Sequence, residues 1–227
     1  MRIINTSAEW LGGKPDGGQM IANIARAGRI CYQSEGKTSD EEFVRRLIRR
    51  GHESVLEHEK VSVVVQCDRG VTHELVRHRI ASYSQESTRY CNYSRDKFGG
   101  EVTYINIVPG LHLDPTSEAL NDLQRDLIVK EWVTACAEAE KHYLRMLELG
   151  ASPQIARSVL NNSTKTQIAI TMNLREWRHF FRLRCAPAAH PQMRELANLL
   201  LRMLYNAVPI VLDDLMGGDD DGDNSAG

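Results

Sequence analysis

The valine run Lys60-Val61-Ser62-Val63-Val64-Val65-Gln66-Cys67 constrains the fold of this chain more than any other stretch. β-Branched side chains crowd a helical turn but suit a pleated surface, so the run reads as a strand. Thr164 to Met172 is a second β-branched stretch, and Ile3-Ile4 and Glu101 to Val108 are weaker strand candidates. Helical patterns fill the intervals: Met20 to Cys31, a helix from the Ser39 cap to Arg50, Val71 to Ile80, Ser117 to Leu149, a Pro-initiated helix after Ser152, Asn173 to Cys185, and Gln192 to Ala207. Strands and helices do not alternate regularly, which points to an α+β fold. Length and composition suggest one domain over residues 1–216, and the Gly/Asp-rich residues 217–227 read as a disordered acidic tail.

The formal net charge is −2, which argues against a general nucleic-acid coat. Five cysteines, at 31, 67, 91, 136 and 185, form no CxxC pair and are odd in number. Neither a disulfide framework nor a zinc knuckle is expected, and no metal. The N-terminus lacks the apolar run of a signal peptide, and no apolar stretch is long enough to span a bilayer. A cytoplasmic protein with no membrane partner is the expectation.

Three polar clusters stand out. From Arg77 to Arg89 (RHRIASYSQESTR), guanidiniums and hydroxyls occur at a density that suits recognition of phosphate and polar heterocycles. The first three residues fall on the helix that ends at Ile80, and the remainder is expected to be irregular. The second cluster lies on the helix Asn173 to Arg184. At about 100° per residue, Arg175, Arg178, His179 and Arg182 share one face, and Trp177, Phe180 and Phe181 share the opposite one. Arg184 falls in the middle of the aromatic face. An arginine cannot shed its charge on burial, so Arg184 either snorkels to the last carbonyls or is aimed at a ligand acceptor. Arg157 is a further candidate. The third cluster, His52-Glu53-Ser54-Val55-Leu56-Glu57-His58, lacks the HExxH spacing of a helical zinc site. It is expected to bond a cofactor or the Val71–Ile80 helix. Cys185, beside Arg184, is either a nucleophile next to a cation or a buried structural thiol, and the structural thiol is the expectation.

GxGxxG, GxxxxGK[ST] and GxSxG motifs are absent from the sequence. A nucleotide cofactor would therefore be held by arginines on another kind of scaffold.

Taken together, these segments resemble the flavin-dependent thymidylate synthases. Arg77-His78-Arg79, seven residues and then Ser87 are similar to that family's RHR-x7-S signature. His52-Glu53-Ser54-x-x-Glu57-His58, Arg157 after a Pro-initiated helix, and Asn173-Leu174-Arg175 through Arg184 to His190 and Gln192 resemble its other segments, in order. The resemblance implies a mixed, largely antiparallel sheet flanked by helices. It also implies reductive methylation of dUMP to dTMP. 5,10-Methylenetetrahydrofolate is then the carbon donor, FAD carries carbon and hydride, NADPH is the reductant, and tetrahydrofolate is released. A homotetramer with sites shared between subunits is implied as well.

By position, the resemblance assigns FAD contacts to His52, Ser54, Arg77, His78, Arg79, Gln85, Asn173, Leu174, Arg175 and His179. It assigns dUMP contacts to Glu74, Leu75, Val76, Arg77, Gln85, Glu86, Ser87, Thr88, Arg89, Arg157 and Arg184. Glu74 stands where relatives commonly have Gln, and Gln85 where they often have Glu. Arg184 takes the activating position: a planar, permanent cation on the N3–C=O edge of uracil raises electron density at C5. Ser87 is expected to bind rather than attack, since a serine nucleophile needs an adjacent base.

Overall fold

The computed structural model describes residues 1–33 and 38–216. The acidic tail expected at 217–227 lies outside the described residues. Among the described residues there are six strands: β1 (Arg2–Ile4), β2 (Ser7–Trp10), β3 (Lys60–Asp68), β4 (Ala81–Gln85), β5 (Thr103–Ile105) and β6 (Lys165–Asn173). The helices are α1 (Gly17–Tyr32), α2 (Asp40–Arg49), α3 (Arg69–Leu75), α4 (Val108–Leu113), α5 (Asp122–Glu148), α6 (Pro153–Ala156), α7 (Leu174–Arg184) and α8 (Pro191–Tyr205). No helix among the described residues is long and apolar enough to cross a membrane.

β2, β3, β6 and β4, in that order, form an antiparallel sheet, and β1 and β5 form a separate parallel pair. The α+β expectation, with a mixed and largely antiparallel set of strands, holds. Alternation along β3 sends Val61, Val63, Val65 and Cys67 inward, and along β6 it sends Ile168, Ile170 and Met172 inward. Antiparallel register pairs Val61 with Met172, Val63 with Ile170 and Val65 with Ile168, so the two apolar rows face one core. Met193, Leu196, Leu200 and Leu204 recur at helical spacing along α8 and join that core with Trp177, Phe180 and Phe181 of α7. At Gly17 a Cβ would lie 1.9 Å from the Ala207 carbonyl oxygen, so only glycine lets the start of α1 reach the end of α8.

Several boundaries differ from expectation. The Val71–Ile80 helix ends at Leu75, so Arg77, His78 and Arg79 lie in a turn rather than on a helix. Ile80, which seemed to extend the apolar stripe, is 67% exposed. The Tyr83 hydroxyl oxygen lies 2.7 Å from the Leu75 carbonyl oxygen and 2.9 Å from that of His78, pinning the turn. The expected irregular stretch after it is β4, an edge strand whose serines face out. Glu101–Val108 is a strand only over Thr103–Ile105. The Asn106 side chain accepts from the Val108 N–H and opens α4 there. The Ser117–Leu149 segment starts inside a short 3-10 helix, Pro115–Ala119, and becomes α-helical only at Asp122, where Asn121 and Gln124 form a capping box. Its C-terminus is as expected: Gly150, at φ +93°, donates to Leu147 and Ala151 donates to Met146, a Schellman ending. Ser152 precedes α6 without bonding it through its side chain. Edge strand β2 has too little apolar pattern to be read from sequence.

Candidate active site

α7 follows β6 directly, with Asn173 as its cap: the side chain accepts from the Glu176 N–H at 2.8 Å. That places Arg184, eleven residues on, beside the turn that follows α3. There Arg184 Nε donates to His78 Nε2 at 3.1 Å and Nη1 donates to the Glu74 carboxylate at 2.7 Å. Nη2 donates to the Glu74 carbonyl at 3.4 Å. The two clusters separated by about a hundred positions are thus in contact. The partner required by Arg184 is neither the last helix carbonyls nor a ligand alone: it is Glu74 and His78.

Arginine is always a donor, so His78 Nε2 must accept and the ring proton sits on Nδ1. Nδ1 lies 3.3 Å from the Glu176 carboxylate, to which it donates. Burial, followed by the Arg184 charge, lowers the His78 pKa against the opposing pull of Glu176, so the ring is neutral. Glu176, His78, Arg184 and Glu74 therefore form one hydrogen-bonded chain across the α3–α7 junction. Ligand-capable atoms of His78, Glu176 and His179 also lie within 4.8 Å of one another. The guanidinium on His78 Nε2 opposes a cation at that point.

Two clefts flank the turn. One, of about 480 Å³, is lined by Ile80, Asn173, Arg175, Glu176, His179 and Arg182 together with Glu53 and Glu57. His179 lies edge-on to His78 with ring centroids 5.9 Å apart. The other, of about 410 Å³, brings together Arg69, His73, Thr88 and Arg157. Arg157 Nη1 donates to Thr88 Oγ1 at 3.0 Å, while Arg69 Nη1 is buried with no hydrogen-bond partner. A buried guanidinium nitrogen without an acceptor favours an anion.

The other candidates are placed as follows. Arg77, Arg79, Val76 and Arg89 are exposed, and Arg89 stacks over Tyr90. Leu75 and Leu174 are fully buried and can meet a ligand only through main-chain atoms. Gln85 Nε2 donates to Thr72 and Thr166, and the Glu86 carboxylate accepts from Lys165 Nζ and Tyr93. Ser87 Oγ accepts from the Arg89 N–H. His52 and Ser54 are exposed and off the first cleft; His52 Nδ1 bonds the Tyr32 hydroxyl. The segment 52–58 pairs with α7 rather than with α3: Glu53 accepts from Arg178 and Arg182, and Glu57 accepts from Arg175. Burial raises the Cys185 pKa to about 11, which keeps it a thiol packed at the core edge.

Sequence reasoning overlooked Glu176, Arg69 and Arg178. Asn173 and Glu176 have the spacing of a capping box, so the acid passes for an N-terminal helix device, yet its side chain turns to His78. Arg69 directly after a strand is indistinguishable from a surface charge. Arg178 shares its wheel face with exposed neighbours but is 0% exposed itself.

Residues 19–210 match the family described as thymidylate synthase complementing protein. A flavin-dependent thymidylate synthase of Geobacter sulfurreducens is 36% identical over 85% of this chain and 81% of its own length. Those of Mycobacterium avium and Mycolicibacterium gilvum are 34% and 37% identical, each over 88% of this chain and 80% of its own. Over nearly its whole described length, and with the two arginine clusters in contact, the chain belongs to the family of flavin-dependent thymidylate synthases.

Proposed function

We propose that this chain converts dUMP to dTMP, taking the methyl carbon from 5,10-methylenetetrahydrofolate with FAD reduced by NADPH. Bound FAD supplies the hydride and carries the carbon unit. The observation that carries the reading is Arg184. It is held by His78 and Glu74 through three of its five N–H groups, leaving two for a ligand. Laid against the N3–C=O edge of uracil, this cation stabilises the enolate-like ring that makes C5 nucleophilic.

The residues divide between the clefts. Arg157, Thr88, Ser87 and Arg89, with Arg69 added, hold the dUMP phosphate, where charge-assisted donors serve best. Glu74, Leu75, Val76, Gln85 and Glu86 shape the nucleotide wall. On the other side Asn173, the Leu174 main chain, Arg175 and His179 offer hydrogen-bonding edges for FAD, and Ile80 an apolar surface for its rings. This donor set, in a cleft of about 480 Å³ whose Glu176 and His179 adjoin His78, suits a flavin. Arg77, His78, Arg79 and Gln85 complete the FAD contacts. His52 and Ser54, exposed and off this cleft, suit contacts delivered to a neighbouring subunit, in keeping with a homotetramer in the cytoplasm. The slight net negative charge supports small-molecule substrates over nucleic acid.

Purified protein should be yellow and bleach with NADPH, and Arg184→Ala should keep the flavin but lose dTMP formation. Undiminished dTMP formation by that variant would remove the assigned role.

A further inference from the structure

We infer that Glu176 is a positioning residue for the activating Arg184, acting through the tautomer of His78. The inference rests on the proposed reaction, in which Arg184 faces uracil. Glu176 lines the first cleft, yet it reaches Arg184 only through His78: the residue is 8% exposed, and its carboxylate lies 3.3 Å from His78 Nδ1, on the far side of the ring from Arg184. An imidazole offers Nε2 as an acceptor only while its proton stays on Nδ1. A carboxylate at Nδ1 enforces that tautomer, as an aspartate does for the histidine of a serine-protease triad.

The consequence falls on Arg184. Its Nε–H donates to His78 Nε2 at 3.1 Å, and Nη1 is held by Glu74 at 2.7 Å, so two fixed points define the guanidinium plane. In the other tautomer Nε2–H would point at Nε–H, and one of the two fixed points would become a repulsion. The ring cannot escape by turning freely. Phe180 packs on it with centroids 5.0 Å apart, and the Tyr83 hydroxyl pins the His78 carbonyl. The chain Glu176–His78–Arg184 therefore transmits the position of one buried carboxylate to the plane of the catalytic cation.

The test uses the holoenzyme with two readouts: tritium release from C5-labelled dUMP, and ¹⁵N NMR of the His78 ring. Wild type is expected to show the Nδ1–H tautomer. Glu176→Gln keeps an acceptor and should retain that tautomer and most of the turnover. Glu176→Ala should lose the tautomer preference and fall on the order of 100-fold in kcat, the scale of a misplaced reacting group. KM for dUMP and bleaching of the flavin by NADPH should change little. A wild-type Nε2–H tautomer, or wild-type tritium release from Glu176→Ala, overturns the inference. If the alanine variant does not fold, Glu176→Gln decides: a kept tautomer with collapsed turnover also overturns it. Wild-type protein that releases no tritium would instead sink the proposed reaction, and the ring tautomer, which needs no turnover, would still test Glu176.

Discussion

Two arginines six residues apart on α7, Arg178 and Arg184, are both partnered by carboxylates, yet the proposed reaction gives them opposite ends. All five N–H groups of Arg178 are used. Nε and Nη2 donate to Glu53, Nη1 and Nη2 donate to Asp214, and Nη1 donates to the Val211 carbonyl. It is sealed from water and ties the 52–58 segment and the 213–215 turn to α7. Arg184 uses three of its five N–H groups, on His78 and Glu74, and keeps its side chain 20% exposed. A saturated guanidinium is a structural clamp, whereas a partly saturated one, held in a fixed plane, is a tool. Sequence type and local charge do not separate the two; the count of satisfied donors does.

Exchanging each for alanine separates them most sharply. Arg184→Ala should cut dTMP formation on the order of 100- to 1000-fold, the scale for losing a transition-state donor, and leave the urea midpoint nearly unchanged. Arg178→Ala should do the reverse. Stranding Glu53 and Asp214 without their cation costs about 3–5 kcal/mol, readable by urea unfolding, with turnover of the folded fraction largely kept. Equal losses of stability in both variants would erase the distinction.

The next effects are on substrate binding. Arg69→Ala and Arg157→Ala should each raise KM for dUMP by roughly 10-fold, the scale of one charge-assisted hydrogen bond, with kcat held. An unaltered KM in Arg69→Ala would show that its orphaned Nη1 meets no phosphate.

Acid should act first on the clamp. Burial alone would raise the pKa of Glu53, but hydrogen bonds and charges from Arg182 and Arg178 hold it below 4.5. At Asp214 burial is likewise outweighed by Arg178, and the pKa falls below 3.8. Depressed carboxylates contribute stability above their unfolded pKa values and lose it as pH falls through the folded ones. The unfolding midpoint should therefore drop below about pH 4.5, and Arg178→Ala should flatten that drop. His78 faces Glu176, Arg184 and His179, and its own pKa is lowered, first by burial and then by the Arg184 charge. Its neutral form thus persists below the ordinary 6.5, and its contribution to stability is lost progressively as pH falls from 6.5 through the lower folded value. Tritium release should therefore survive acidification past pH 6.5. The smallest effect serves as a control. Ser39→Ala removes an N-cap bond to Glu42, remote from both arginines, and should cost about 1 kcal/mol with no change in turnover.

Much of this arrangement was legible in the sequence where one pattern dominated. β3 and β6 announce themselves by β-branched alternation, α8 by its leucine spacing, and the end of α5 by Gly150. The two polar clusters could be singled out only together: alone, Arg77–Arg89 reads as a solvated loop and Arg184 as a side chain that snorkels to the last helix carbonyls, and the family resemblance is what joins them. The misses share a physical cause: the deciding interaction is long-range. Tyr83 bonds that close the α3–β4 turn, and the β6 pairing that straightens residues 81–85, leave no local trace. Glu176 was hidden by a cap spacing, and Arg178 by neighbours on its face that point to water.

The most direct test of Arg184 as the tool and Arg178 as the clamp is tritium release from C5-labelled dUMP by flavin-loaded Arg184→Ala, beside wild type and with methylenetetrahydrofolate and NADPH present. Flavin retained, fold intact and release lost is the expected result. Release at the wild-type rate from a folded, flavin-bearing variant would contradict it.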